Sequence, residues 1–309
     1  MDLVKTDVPM TSERCHDTVL ALAGRYPSIS AETITQTDFG RPVDLMVMGR
    51  GERKVIFTAA HHANEWITTP VLLKFAEELA QALEAGGRIF GVPARTLELA
   101  ATIYIVPMVN PDGVDLVTGA IPMGSPEYNR ASHFASNYPF IPFPAGWKAN
   151  LNGVDLNLQY PAGWLRAREI KFAQGFTRPG PRDYVGRAPL TQPEVRALLL
   201  LTEAVDPELV LALHTQGEVI YWQFGGIEVP GARKMGEEFA RLSGYELADT
   251  PEASAYAGYK DWFIQRYRRP GYTIEAGRGE NPLPLNQFDE IYRDTLGILT
   301  TAATGLPGM

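Results

Sequence analysis

The chain has 309 residues, 45% of them hydrophobic and 21% charged, with 28 Lys plus Arg against 36 Asp plus Glu and a formal net charge of −8. That balance excludes a disordered, collagenous or coiled-coil chain, and without a basic excess it argues against a nucleic-acid-binding protein. The single cysteine, Cys15, excludes an intramolecular disulfide and a cysteine-built zinc site, so a metal would have to be held by histidine and carboxylate.

Helical spacing runs over residues 12–25, with Val19, Leu20 and Leu22 on one apolar face. Short β-rich runs follow at 44–48, 54–58 and 101–106. Between the last two, a helical pattern over 69–83 carries Pro70 in its first turn, where a missing N–H is tolerated. Residues 110–165 are rich in Gly, Pro and Asn and lack the periodicity of long elements; such a stretch inside a compact domain is usually functional. Helical spacing returns at 192–204, again with a proline, Pro193, near the start. The continuous apolar run 209–213 reads as a buried strand and 218–222 as its neighbour. Helices at 232–243 and 260–267, a strand at 271–276 and a last helix at 287–300 complete the chain. Strands alternating with helices predict a three-layer α/β sandwich. With no repeat, low-complexity run or linker to divide it, the chain reads as a single domain over residues 1–309. No run approaches the ~18 apolar residues of a membrane span, and residues 1–7 lack a basic region followed by an apolar run. A soluble, cytoplasmic protein is expected.

Five histidines are present, His16, His61, His62, His133 and His214, and three of them stand where strands should end. That edge is where open α/β sheets bind ligands. In His61-His62-Ala63-Asn64-Glu65 a histidine and a carboxylate one turn apart point the same way and can reach one ion. Glu65 is i+3 from His62 and i+4 from His61, and spacing does not choose between them. His214, at the end of another predicted strand, is a third candidate ligand. Two histidines and a glutamate with an open fourth position make a catalytic zinc arrangement, whereas structural sites are closed by four protein ligands. Plainer roles compete: a helix-capping carboxylate for Glu65, a hydrogen-bonded core histidine for His214. The pattern is neither H-E-x-x-H nor H-x-x-E-H, since Trp66 follows Glu65.

Taken in order, His62-Ala63-Asn64-Glu65, Asn110-Pro111-Asp112-Gly113, Gly153-Val154-Asp155-Leu156-Asn157, His214 and Thr273-Ile274-Glu275 resemble the M14 zinc carboxypeptidases, the group around pancreatic carboxypeptidase A. Residues 189–194 resemble that family's Pro/Glu helix start, and the likeness spans about residues 40–300. The resemblance implies a sandwich around a mixed, mostly parallel twisted sheet, and one Zn2+ per chain held by His62, Glu65 and His214. It implies Glu275 as the general base that takes a proton from zinc-activated water. Asp155 would orient the first ligand histidine, and Lys148 would stand in for an arginine that polarises the scissile carbonyl. Asn157 would bind substrate, and Tyr256, rather than Tyr259, would take the place of a mobile substrate tyrosine. The chemistry agrees, because zinc lowers the pKa of its water towards ~7 and a nearby carboxylate can carry the proton. Against these stand an ion pair for Glu275, an Asx turn for Asp155, solvent for Lys148 and packing for the tyrosines.

One departure from the family is informative. Where its carboxypeptidases carry Asn-Arg to grip a terminal carboxylate, this chain has Asn157-Leu158, and leucine cannot make the bidentate contact. Arg278 is the first candidate replacement, followed by Arg166 and Arg168. Residues 61–70, the Trp147-Lys148-Ala149-Asn150 segment with the 153–164 stretch after it, and residues 277–284 resemble the γ-D-glutamyl-L-diamino acid peptidases. That subgroup cuts the γ-D-Glu–diaminopimelate or –lysine bond of cell-wall muropeptides. Zinc-dependent hydrolysis of that bond is the expected activity. A metallocarboxypeptidase acting on ordinary peptides and an inactive peptide-binding relative are the alternatives.

Overall fold

Every residue from Leu209 to His214 is buried, as expected of a strand covered on both faces. The computed structural model describes residues 2–306 and places that strand near the middle of an eight-stranded sheet. In chain order the elements are α1 (Ser12–Arg25), β1 (Ile29–Gln36), β2 (Pro42–Gly49), β3 (Arg53–Ala59) and α2 (Thr68–Ala85). A two-residue hairpin, β4 (Arg88–Ile89) and β5 (Val92–Pro93), leads to α3 (Ala94–Ala100), β6 (Ala101–Val106), α4 (Pro111–Thr118), α5 (Pro126–Ala135) and α6 (Trp164–Ala173). The chain ends with α7 (Pro193–Val205), β7 (Leu209–His214), β8 (Val219–Tyr221), α8 (Ala232–Ser243), β9 (Glu246–Ala248), α9 (Tyr259–Tyr267), β10 (Gly271–Glu275) and α10 (Phe288–Thr304).

The strand order is β1-β2-β6-β3-β7-β10-β8-β9. The four central strands β6, β3, β7 and β10 are parallel, and antiparallel pairs flank them at β2 and β8. Alternation along the central strands feeds two cores. Val55, Phe57, Leu209, Leu211 and Leu213 face one, with Leu72 of α2, Phe239 of α8 and Ile298 of α10. Ile56, Val210 and Ala212 face the other, with Leu198 of α7 and Phe263 of α9. Helices therefore cover both faces, and the sandwich has three layers.

Two expectations need correction. The run 218–222 contains β8 (Val219–Tyr221), but β8 is not the neighbour of β7: β10 lies between them, pairing parallel to β7 and antiparallel to β8. Adjacency in sequence failed here because β10, which arrives 50 residues later, fills the space beside β7. Strands β1, β4, β5 and β9 and helices α3, α4, α5 and α6 were not visible in the sequence, and α4 and α5 lie in the 110–165 stretch expected to lack long elements. Strand β1 lies at the sheet edge and is mostly exposed, so its apolar alternation is faint. Helix α6 buries only Trp164, Ala167 and Lys171, and shows no apolar stripe. Among the described residues no helix is long and apolar enough to cross a membrane.

The topology decides where a site can form. Strand β6 lies on one side of β3 and β7 on the other, so connections leave β3 in opposite directions. Such a switch point opens a crevice at the carboxyl ends of the strands. His61 and His62 leave β3 there, His214 ends β7 and Glu275 ends β10.

Candidate active site

A 3-10 turn over Ala63–Glu65 brings Glu65 back beneath His62. Glu65 Oε1 lies 2.8 Å from His62 Nδ1, and Oε2 lies 2.8 Å from His214 Nδ1. The two Nδ1 atoms are 3.3 Å apart, and one donor atom from each of the three residues falls within 4.8 Å of the others. His61 is directed elsewhere: its Nε2 meets the Tyr160 hydroxyl at 3.3 Å, and its ring stacks on Tyr259 and His214. Burial, with His214 and His62 beside it, keeps His61 well below the usual histidine range and therefore neutral.

The motif around Asn110 explains why the turn is held. Asn110 caps α4 by accepting from Gly113 N–H at 3.1 Å. Its Nδ2 donates to the carbonyls of His61, Lys148 and Ala149 at 3.1–3.2 Å. Ala63 N–H donates to Lys148 O at 3.0 Å, so the turn and the Lys148 segment are joined through backbone. A Cβ on Gly113 would come within 2.4 Å of Ala149 O and 2.7 Å of Ala63 Cβ, which leaves room for glycine only.

Asp155 Oδ1 stands 3.3 Å from His62 Nε2. A proton held there by the carboxylate leaves Nδ1 with its lone pair turned towards Glu65 and His214. Backbone groups hold Asp155 in turn: its oxygens accept from Asn157 N–H at 3.1 Å and Asp183 N–H at 3.2 Å. Asp155 is thus both an Asx cap and a histidine partner. Its neighbours hold it below the usual carboxylate range against the effect of burial, His62 contributing most.

These donors fit a zinc ion. Two imidazole nitrogens and a carboxylate converge with their lone pairs facing inward, an arrangement that repels itself unless a cation or a proton lies between. Without a metal a proton takes that place: burial works against charge on His62, but Glu65 and then Asp155 outweigh it and lift its pKa to about 9. Two nitrogens, one carboxylate and a side open to a cavity match a catalytic zinc set.

That cavity has a volume of about 840 Å³, and His62, Lys148, Asp155, Asn157, Leu158 and Glu275 are among its walls. Lys148 Nζ reaches Glu65 Oε1 at 2.7 Å; burial disfavours its charge, but Glu65 and Glu275 keep it protonated. Glu275 ends β10 beside β7, opposite His214 in register. Burial and the nearby Glu65 push its pKa up. Asn157 lines the cavity while its Oδ1 accepts from Tyr259 N–H at 3.0 Å. Leu158 packs with Trp164, Ala167, Val185 and Ala257, so the position has become part of an apolar wall.

The other sequence candidates lie off the cavity wall. Tyr256 packs against Phe224 and over Gly163. Arg278 is 77% exposed and pairs with Glu218. Arg166 pairs with Glu169 and Glu252, and Arg168 stacks on Phe172. Sequence reasoning missed three charged groups that do line the cavity: Arg182, the Lys171–Asp183 pair at 2.6 Å and the Lys260–Asp261 pair at 2.6 Å. None carries a spacing signature, and only the folding of α6, the loop at 182–183 and α9 around the crevice brings them in.

A profile described as zinc carboxypeptidase matches residues 16–297. Over 276 residues the chain is 45% identical to gamma-D-glutamyl-L-diamino acid endopeptidase 1 of Lysinibacillus sphaericus, an alignment covering 88% of this chain and 67% of that protein. It is 42% identical over 283 residues to the uncharacterized protein YqgT of Bacillus subtilis strain 168, covering 90% and 72%. The crystal structure of carboxypeptidase A from Helicoverpa armigera superposes with a TM-score of 0.70 at 18% identity, covering 99% of this chain and 76% of that one.

Proposed function

The chain belongs to the zinc carboxypeptidase family and is a metallopeptidase, and from that premise we propose that it hydrolyses the γ-D-glutamyl–diamino acid bond of cell-wall muropeptides. The observation that carries this reading is the 45% identity, over 88% of the chain, to an endopeptidase named for that bond. The apolar packing of Leu158 fits it, because that position offers no charge to the terminal carboxylate that a simple C-terminal exopeptidase would grip there.

In this reading His62, Glu65 and His214 hold one zinc ion per chain. Bound zinc supplies Lewis acidity, which acidifies water and polarises a carbonyl. The protein's own residues do the rest. Asp155 fixes the His62 ring. Glu275, whose pKa burial and the nearby Glu65 raise, accepts a proton from the attacking water as the new C–O bond forms. It returns that proton to the leaving nitrogen as the C–N bond breaks, so that water is consumed and Glu275 is restored. Lys148 opposes negative charge growing on the carbonyl oxygen. Asn157, anchored through Tyr259 N–H, orients the substrate.

The test is mass spectrometry of products from L-Ala-γ-D-Glu-meso-diaminopimelate, with and without a chelator. Release of diaminopimelate that stops with the chelator and resumes on adding zinc is expected. An intact tripeptide with zinc present would overturn the substrate assignment.

A further inference from the structure

Four cations line the cavity: Lys148, Lys171, Arg182 and Lys260. Three of them have a carboxylate each. Lys148 meets Glu65 at 2.7 Å, Lys171 meets Asp183 at 2.6 Å and Lys260 meets Asp261 at 2.6 Å. Arg182 has none to itself, because its Nε donates at 2.7 Å to Asp183 Oδ2, the carboxylate whose other oxygen already faces Lys171. Of the four, Arg182 is therefore the cation that shares its carboxylate with another and holds it through Nε alone. Arg182 Nη1 and Nη2 make no hydrogen bond to the described residues.

The mount is rigid. Lys171 is buried, and its ammonium holds Asp183 from behind. Asp183 takes a left-handed backbone conformation, φ 64°, and its N–H donates to Asp155, the partner of His62. One residue before Arg182, Pro181 O accepts from Lys148 N–H and Ala149 N–H at 2.7 and 2.9 Å. Arg182 is thus tied through backbone to both sides of the metal cluster, while its side chain remains 40% exposed to the cavity. A guanidinium anchored through Nε with both Nη atoms free offers the two parallel donors that match a carboxylate.

We propose that Arg182 binds a carboxylate of the substrate, supplying the contact that Leu158 cannot make, with Asp183 and Lys171 as positioning residues. This inference rests on the peptidase reading above and specifies how that site recognises its substrate. A γ-D-glutamyl–diamino acid peptide carries free carboxylates on both sides of the scissile bond: the α-carboxylate of the D-glutamyl residue, and those of the diamino acid. Both offer the same chemistry to Arg182, and the experiment separates them.

The test measures kcat and KM of wild type, R182A and R182K on three tripeptides: the free acid, the form amidated at the D-glutamyl α-carboxylate, and the form amidated on the diamino acid. R182A is expected to lose roughly ten- to a hundredfold in kcat/KM on the free acid, chiefly through KM. It should lose little on whichever amide removes the carboxylate that Arg182 reads. R182K, which keeps the charge without the fork, should fall between. Equal loss on all three substrates, or no loss on any, would overturn the assignment. If wild type leaves every tripeptide intact, the muropeptide reading fails separately. The same variants on an acylated dipeptide and its C-terminal amide then decide Arg182 by the same criterion: loss on the acid alone supports it, and equal or absent loss overturns it.

Discussion

Asp155 Oδ1 lies 3.3 Å from Nε2 of His62, on the side of the ring opposite Glu65 and His214. The contact holds the imidazole in one orientation, with Nδ1 turned to Glu65 and His214, as a metal ligand requires. Asp155→Asn keeps the shape and removes the charge. It should weaken zinc binding roughly ten- to a hundredfold, measured by competition with a chromogenic chelator. Unchanged affinity would reduce Asp155 to its Asx-cap role.

Glu275 stands at the end of β10, part-buried, with Glu65 and burial raising its pKa. Glu275→Gln should leave one zinc per chain by atomic absorption. Its kcat should fall by about two or more orders of magnitude with KM little changed, because the loss is confined to proton transfer. Full activity in this variant would remove Glu275 from the mechanism.

Gly113 and Gly24 make a controlled pair. Gly113→Ala forces a methyl against Ala149 O and Ala63 Cβ, between the ligand turn and the Lys148 segment. It should cost about 1–3 kcal/mol in chemical denaturation and lower activity as well. Gly24 lies within α1, and nothing stands within 4 Å of its would-be Cβ. Gly24→Ala should stabilise by roughly 0.5–1 kcal/mol and leave activity alone. Similar behaviour of the two variants would contradict the packing described around Asn110.

Glu194, buried in the first turn of α7, accepts from Asn150 Nδ2 at 3.3 Å through one oxygen, and the other has no partner among the described residues. Burial lifts its pKa from 4.5 to about 8, with Asp112 adding to the shift and Asn150 opposing it. The folded state then keeps a proton that the unfolded chain releases, so stability falls as pH rises from about 4.5 to about 8. Glu194→Gln should remove that component, and the difference in unfolding free energy between variant and wild type should grow in the variant's favour across the window. Urea titrations at several pH values measure it, and a flat difference would show that Glu194 is ionised when buried.

Much of the candidate metal cluster was legible in the chain because it is local. His62 and Glu65 belong to one turn, and His214 and Glu275 each end an apolar run that reads directly as a buried strand. Hydrophobic periodicity marks such runs wherever both faces are covered, and the order of short motifs supplied the family resemblance. What it could not supply was the partner of each charge. That His62 rather than His61 faces Glu65 depends on the backbone path leaving β3, since both spacings fit one turn.

Strand order was equally hidden: nothing local says that β10 inserts between β7 and β8, because pairing is chosen by the space left after the other strands have packed. The cavity wall shows the same limit. Arg278, close to Glu275 in sequence, pairs with Glu218 outside, whereas Arg182, almost a hundred residues away, faces the cavity beside Lys148. Sequence determined which chemistry was available, through residue type and periodicity. Tertiary structure alone decided which charges meet at the site and which partners they share, because that depends on long-range contacts between segments that carry no period.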